Sequence, residues 1–167
     1  MENQWDEAML NVERSCCFTG HRPEKLKTDP KEVFAGLKRE IQQAIDDGYD
    51  TFLTGMARGV DLWAAHIVLE KKAQYPQLKL YCAIPYAGFE KRWDERWRNA
   101  YQQILGQADG AKVFCATYTY GSFDMRNHWM VDHSRRVIAV YNHTHGGTYN
   151  TLKYAKKKGV EVFLIEG

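Results

Sequence analysis

Two short turns carry the glycines and hydroxyls that phosphate chemistry needs: TGMARG at 54–59 and HGGT at 145–148. Each follows a run of strand-forming residues, at 51–53 and 136–141, and each leads into apolar positions at helical spacing. A helix that begins after such a turn aims its unpaired N–H groups, and the positive end of its dipole, into the turn. Gly55, Gly59, Gly146 and Gly147 let the backbone approach a ligand closely, and Thr54, Thr148 and Thr151 offer hydroxyls. Neither turn fits the P-loop or the GxGxxG fingerprint, so the pair points to phosphate without naming a nucleotide.

Other residues extend this chemistry. Arg22, Arg58 and Arg126 each follow a strand-like run, and the planar guanidinium fork suits a phosphate. Asp61 stands in the first turn of its helix, either as a carboxylate favoured by the dipole or as an acceptor for ribose hydroxyls. Tyr86 and Trp93 are candidates to stack on a base, although the spacing of Trp93, Trp97 and Tyr101 also fits a core stripe. Asp132 lies four residues after His128, placed to orient it on one helix face. His128 and His133 diverge by about 140° on a helix, and His143 and His145 lack a partner ligand nearby, so no metal site is expected. No Ser-His-Asp, Cys-His or paired-carboxylate arrangement stands out, and no catalytic residue is assigned.

The elements that must hold these residues alternate regularly. Strands are expected at 15–18, 51–53, 78–84, 111–116, 136–141 and 160–165, with helices between them. The first helix has Asp29 as N-cap, Pro30 at its first position and Glu32 in its first turn, and Gly48 stops it. The last helix ends at Gly159, and a helix carrying residues 125–132 follows a loop at 117–124. Six strands alternating with five helices imply an α/β fold, a parallel sheet with helices on both faces. In such sheets ligands sit outside the carboxyl ends of the strands. The unusual loops, at 19–23, 54–61, 85–90, 117–124 and 142–148, all follow strands and should meet on that rim. Residues 1–13 read as an N-terminal tail or a packed extra turn, and 14–167 as a single domain.

Composition bounds the rest. The chain has 167 residues, 44% hydrophobic and 26% charged, with 23 basic against 21 acidic side chains and a net charge of +2. That balance supplies no general basic field and argues against gripping nucleic acid as the main task, while a local basic patch remains compatible. No apolar run approaches the roughly 18 residues of a membrane span. The acidic, polar start MENQWDEAML is unlike a signal peptide, so a cytoplasmic protein is expected. Cys16, Cys17, Cys82 and Cys115 fall in expected strands without CxxC spacing, as small reduced hydrophobes.

The segments CCFTGHRPEKL (16–26), TGMARGVDLWAAH (54–66), RNHWMVD (126–132) and GGTYNTLKYAKKKG (146–159) together resemble the YpsA-like family of the SLOG superfamily over nearly the whole chain. That superfamily includes the DNA-processing protein DprA (Smf) and the LOG cytokinin-riboside phosphoribohydrolases. The resemblance implies a Rossmann-like three-layer αβα fold with a mostly parallel sheet of about six strands. The segment at 54–66 is similar to the DprA glycine turn, which carries over Gly55, Arg58, Gly59 and Asp61. MRNHWM is similar to the LOG segment with its functional arginine, here Arg126, followed by Asn127. HGGTYNTL is similar to the LOG turn PGGxGTxxE, carrying over Gly146, Gly147 and, with one residue inserted, Thr151. Where LOG enzymes place a catalytic glutamate this chain has Lys153 and Tyr154.

The resemblance therefore implies binding of a nucleotide or an NAD- or ADP-ribose-like ligand, for sensing, regulation or sequestration. The first loop (Thr19, Gly20, His21 and Arg22) would join Tyr86, Trp93, Thr148 and the residues above around that ligand. Two alternatives stand beside it. One is a LOG-type nucleotide N-glycosidase that uses a different carboxylate, Asp61 or Asp132. The other is DprA-like binding of single-stranded DNA. A protein partner and a homo-oligomer stay open.

Overall fold

The computed structural model describes residues 7–167. Six strands form one sheet: β1 (Ser15–Thr19), β2 (Thr51–Thr54), β3 (Lys79–Tyr86), β4 (Gly110–Cys115), β5 (Arg136–Tyr141) and β6 (Glu161–Glu166). Five helices connect them: α1 (Pro30–Asp46), α2 (Val60–Lys72), α3 (Glu95–Gln107), α4 (Ser122–Asp132) and α5 (Gly147–Lys158). Every pairing is parallel and the order is β4-β3-β2-β1-β5-β6. The sheet is thus wholly parallel, in an α/β Rossmann-like three-layer fold.

Strand alternation explains the layers. Cys16 and Phe18, Phe52, Leu80, Cys82 and Ile84, and Ile138 and Val140 pack into one core with α1, α2 and α3. Their neighbours Cys17, Leu53, Ala83, Val137 and Ala139 pack on the other face against Met130, Val131 and Ala155 of α4 and α5. Phe18 and Phe52 stack with centroids 5.9 Å apart inside the first core. With both faces covered, the central strands carry nearly unbroken apolar runs.

Local signals set the helix ends. Asp29 accepts the Lys31 N–H at 2.9 Å and Pro30 follows it, as expected for an N-terminus. Asp94 caps α3 by accepting the Trp97 N–H at 3.0 Å. Trp93 therefore precedes α3 instead of lying on its stripe. Helix α4 starts at Ser122, inside the segment expected to be loop, because Gly121 takes the left-handed conformation and turns the chain into the helix. The N-terminal segment makes short 3-10 turns at Glu7–Met9 and Val12–Arg14, and Glu7 pairs with Lys112 of β4. It is a packed turn there, and residues 1–6 lie outside the described residues.

Sheet order places the site. From β1 the chain runs outward through β2, β3 and β4, then crosses back to put β5 on the other side of β1. The strand order reverses between β1 and β5, where such folds leave a crevice at the carboxyl ends.

Candidate functional site

A cavity of about 1040 Å³ opens at that crevice. Each of the five loops expected on the rim contributes to its wall. After β1 come Thr19, Gly20, His21, Arg22, Glu24, Lys25 and Lys27. Ala57, Arg58 and Asp61 follow β2, and Phe89 and Trp93 follow β3. Phe123, Arg126 and Asn127 come from the start of α4, and Asn142, Thr144, His145, Gly146, Gly147 and Thr148 follow β5.

His21 ties the two central strand ends together. Its Nε2 accepts the Asn142 N–H at 3.0 Å, and its ring stacks on Tyr141. Burial, and secondarily the Lys27 charge, push its pKa down, which keeps the ring neutral and able to accept. Asn142 in turn donates from Nδ2 to the Lys25 carbonyl at 2.8 Å and accepts both the backbone N–H (3.0 Å) and the hydroxyl of Thr144. The loop after β5 is thereby fixed to the loop after β1.

The two glycine turns differ. At α5, Gly146 has φ +147° and no side chain caps the helix, while Cβ atoms built at Gly146 or Gly147 would meet nothing within 4 Å. This N-terminus faces open space in the cavity wall, with its first N–H groups unpaired. At α2 the N-cap Gly59, φ +85°, is covered: a Cβ there would lie 2.9 Å from Pro23 Cδ and 3.3 Å from the His21 carbonyl oxygen. Gly59, expected to approach phosphate, is instead packed against Pro23 and the His21 carbonyl. Gly59 and Gly55 do not line the cavity. A Cβ on Gly55 would sit 2.7 Å from both Arg126 Nη1 and Asp61 Oδ2, so this glycine makes room for two buried charges.

Those charges form the floor. Asp61 is 7% exposed and Arg126 is 4% exposed. Arg126 Nη1 donates to the Gly55 and Ala83 carbonyls, the latter at 3.3 Å, and Nε donates to Asn127 Oδ1 at 2.7 Å. Asp61 Oδ2 accepts the Ala57 N–H at 3.2 Å. Burial raises the Asp61 pKa to about 6, against the opposing pull of Arg126 and the Ala57 N–H. Burial likewise pulls the Arg126 pKa down, with Asp61 resisting. Asp61 thus spends its side-chain hydrogen bond on its own turn, while its charge balances that of Arg126.

At the mouth, Arg58 Nη2 donates to Glu24 Oε1 at 3.2 Å, and Arg22 Nε lies 3.8 Å from the same oxygen. Glu24 is held ionised by its own backbone N–H first and by Arg58 and Arg22 next. Two of the three arginines expected to meet phosphate, Arg58 and Arg22, therefore already share a carboxylate.

Several expectations change in position. Thr151 donates its hydroxyl to the Gly147 carbonyl at 2.9 Å, buried in its own helix and away from the cavity wall. Tyr86 sits behind the wall, edge-on to Phe89, Tyr118 and Phe123. Trp93 does line the cavity, edge-on to Phe89 and Tyr101. Asp132 does not orient His128: it accepts the Tyr154 hydroxyl at 2.8 Å, and His128 stacks on the Tyr154 ring at 3.8 Å. Neither Asp132 nor Lys153, whose Nζ lies 4.9 Å from the Tyr149 centroid, borders the cavity. Sequence reasoning missed Glu24, Lys25, Lys27, Phe89, Phe123 and Asn142. Only Asn142 left a local trace, the Asn-x-Thr pattern of a side-chain-closed turn.

Comparison with known proteins fits this architecture. The YpsA family profile, described as the YspA SLOG family, matches residues 16–166. A UPF0398 protein of Bacillus thuringiensis is 32% identical over 151 residues, covering 84% of this chain and 82% of that protein. One of Staphylococcus haemolyticus is 30% identical over 138 residues, covering 78% and 74% respectively. Among solved structures, DprA of Helicobacter pylori, described with a single-stranded DNA binding mode, superposes with a TM-score of 0.69 at 18% identity over 97% of this chain and 69% of its own. DprA of Streptococcus pneumoniae gives 0.65 at 18% identity over 93% of this chain, which spans only 51% of that protein. At such identity the DprA likeness shows the fold alone. The profile match over nearly the whole length, on this parallel sheet, shows that the chain belongs to the YpsA family of SLOG proteins.

Proposed function

We propose that the cavity binds a nucleotide or nucleotide-derived ligand, with a phosphate on the N-terminus of α5 and an aromatic base toward Phe89, Trp93 and Phe123. One observation carries this reading: an uncapped helix N-terminus opens into a cavity lined, among the described residues, by five cationic side chains (Arg22, Lys25, Lys27, Arg58 and Arg126) and two carboxylates (Glu24 and Asp61). Dipole, free N–H groups and local positive charge all select an anion there. The apolar aromatic end selects a ligand that is not anion alone. A cavity of about 1040 Å³ has room for a nucleotide with space to spare. Mass spectrometry of small molecules released from the purified protein, followed by calorimetry against a nucleotide panel, tests it. Absence of binding to every nucleotide, by a protein that melts cooperatively, refutes it.

A hydrolytic reading rests on Asp61. It is the buried carboxylate on the cavity floor, and its pKa of about 6 lets it exchange a proton near neutral pH. Asp132, the other carboxylate considered, points away toward Tyr154. Release of free base from nucleoside monophosphates, lost in Asp61→Asn, would support hydrolysis. Intact nucleotide recovered after long incubation would return the site to binding.

A further inference from the structure

The two edges of the sheet differ in what they offer. Among the described residues β4 pairs with β3 alone, and β6 with β5 alone. The bonds flanking β4 fix which way its backbone points. The Asp109 N–H donates to the Leu80 carbonyl at 2.8 Å, and the Ala87 N–H donates to the Cys115 carbonyl at 3.0 Å. Odd-numbered residues of β4 are therefore bonded inward to β3, and alternation turns the N–H and C=O groups of Gly110, Lys112 and Phe114 outward. Side chains alternate as well. Val113 stands 43% exposed on the same side as Ala111, which packs against the core beneath α3. Phe114 packs on the other side with Trp129, and Lys112 lies over both rings with its charge met by Glu7. An outward-facing backbone edge with an exposed aliphatic side chain is a template for another strand.

We propose that β4 pairs antiparallel with the β4 of a second copy of this chain, about a twofold axis at Val113, so that one sheet runs on into the other. The strand itself selects this register. A twofold axis through the sheet keeps each face on its own side, so odd residues meet odd and even meet even. With Lys112 on the axis, two ammonium groups would stand directly opposite, which is destabilising. With Ala111 or Phe114 on the axis, half the strand or more would face residues outside β4. With Val113 on the axis, residues 111–115 all find partners in the second strand. Val113 meets Val113, Ala111 meets Cys115, and Lys112 meets Phe114, a cation beside a ring and not beside its like. The outward N–H and C=O groups of Lys112 and Phe114 then bond each other across the axis. The other edge is poorer, because β6 begins and ends on exposed carboxylates, Glu161 and Glu166, that two copies would gather together. Beyond β4, Tyr118 is 60% exposed and Tyr120 101%, adding apolar surface at the end where the second copy's strand begins. Because the paired strands run oppositely, the two cavities open on opposite rims, and the pairing stands independently of any ligand they hold.

Sedimentation equilibrium and thiol cross-linking of the full chain test it together. The wild-type protein should sediment as a dimer. Val113→Cys, oxidised with diamide, should form a covalent dimer, because directly opposite residues of a non-hydrogen-bonded pair have Cα atoms about 4.5 Å apart, within the roughly 4.4–6.8 Å span of a disulfide. Ala111→Cys should cross-link as well, to the native Cys115 of the second copy, and adding Cys115→Ser should abolish that product. The wild type should not cross-link, since its Cys115 faces Ala111. Val113→Lys, which sets like charges face to face on the axis, should weaken the dimer by about tenfold or more, with its circular dichroism unchanged. A wild type that stays monomeric at every concentration overturns the proposal. So does a dimer that survives Val113→Lys while Val113→Cys fails to cross-link. Cross-linking through Leu164→Cys alone would place the contact on β6, and cross-linking through Lys112→Cys without Val113→Cys would overturn the register.

Discussion

The two glycine turns should respond oppositely to the same small change, a single added methyl group. At Gly55 the new Cβ would lie 2.7 Å from Arg126 Nη1 and from Asp61 Oδ2, and 2.9 Å from Arg126 Cζ. Contacts this short force movement, and the surroundings are rigid: Arg126 is held by the Gly55 and Ala83 carbonyls and by Asn127, and Asp61 by the Ala57 N–H. Overpacking alone costs about 1–3 kcal/mol, and loss of one hydrogen bond to a charged group adds about 1.5–3 kcal/mol. A Gly55→Ala protein should therefore lose about 3–5 kcal/mol, a fall in Tm of roughly 10 °C for a chain of this length. At Gly147 the same methyl meets nothing within 4 Å on a helical backbone. Gly147→Ala should leave Tm within about 2 °C or raise it slightly, as glycine replacement in a helix usually does. Its effect belongs to the ligand instead, since the methyl stands where the phosphate is proposed to approach. Gly147→Glu sharpens the contrast, because a carboxylate in the first turn of a helix favours folding while repelling an anion. Calorimetric melting beside nucleotide titration reads both quantities. A Gly55→Ala protein as stable as wild type would refute the packing argument. Unchanged nucleotide affinity in Gly147→Glu would refute α5 as the phosphate end.

Three further outcomes follow from the same geometry. Asp61 has a folded pKa of about 6 against an ordinary 3.8, so its contribution favours the folded state at low pH and is lost as pH rises from about 4 to about 6. Urea unfolding should show the stability difference between wild type and Asp61→Asn changing by about 3 kcal/mol from pH 4 to pH 7, and a flat difference would contradict it. His21 is depressed below 6.5, so its bond from the Asn142 N–H is secure above that pH and is lost as pH falls through the folded pKa; exchange of the Asn142 amide should accelerate on acidification and stay unaccelerated if the ring keeps its acceptor role. Removing the Glu24 carboxylate, as Glu24→Gln, should release Arg58 and Arg22 and strengthen anionic ligand binding by about twofold to fivefold, most at low salt; weaker binding would mean that Glu24 contacts the ligand.

Much of the fold was legible because its signals are local. Asp29-Pro30, Gly48 and Gly159 mark helix ends by conformational preference alone, and alternating helical and strand periods identify a sheet covered on both faces. The start of α4 was not legible: Ser122 begins it after a left-handed glycine in a polar aromatic segment with no side-chain cap. At the site, the gathering of five loops followed from parallel topology, since every strand ends on one rim. The roles within it did not follow. Whether Gly59 faces a ligand depends on Pro23, from a different loop, and whether Gly55 does depends on Arg126 from α4. The Thr151 hydroxyl, which the sequence offers to a ligand, bonds back to its own helix. Such facts are long-range and sequence spacing does not encode them.

Charge makes the same point in functional terms. A net charge of +2 argues against a nucleic-acid protein only if the charges are spread evenly. They are not: the cavity wall holds Arg22, Lys25, Lys27, Arg58 and Arg126 against Glu24 and Asp61, an excess larger than that of the whole chain, so the remaining surface is slightly acidic in balance. Such a surface discourages indiscriminate contact with polyanions, while the cavity and its helix N-terminus keep a local attraction. For the ligand proposed for the cavity, selectivity would come from access. An anion must fit between the β1 and β5 loops, displace the hold of Glu24 on Arg58, and bring an apolar ring to Phe89, Trp93 and Phe123. Inorganic phosphate satisfies the first demands and not the last, and a neutral nucleoside only the last. A flexible nucleotide, the ligand proposed here, meets all of them, whereas duplex DNA, with its bases stacked and paired inside, cannot present a base to the aromatic wall without paying to unpair it.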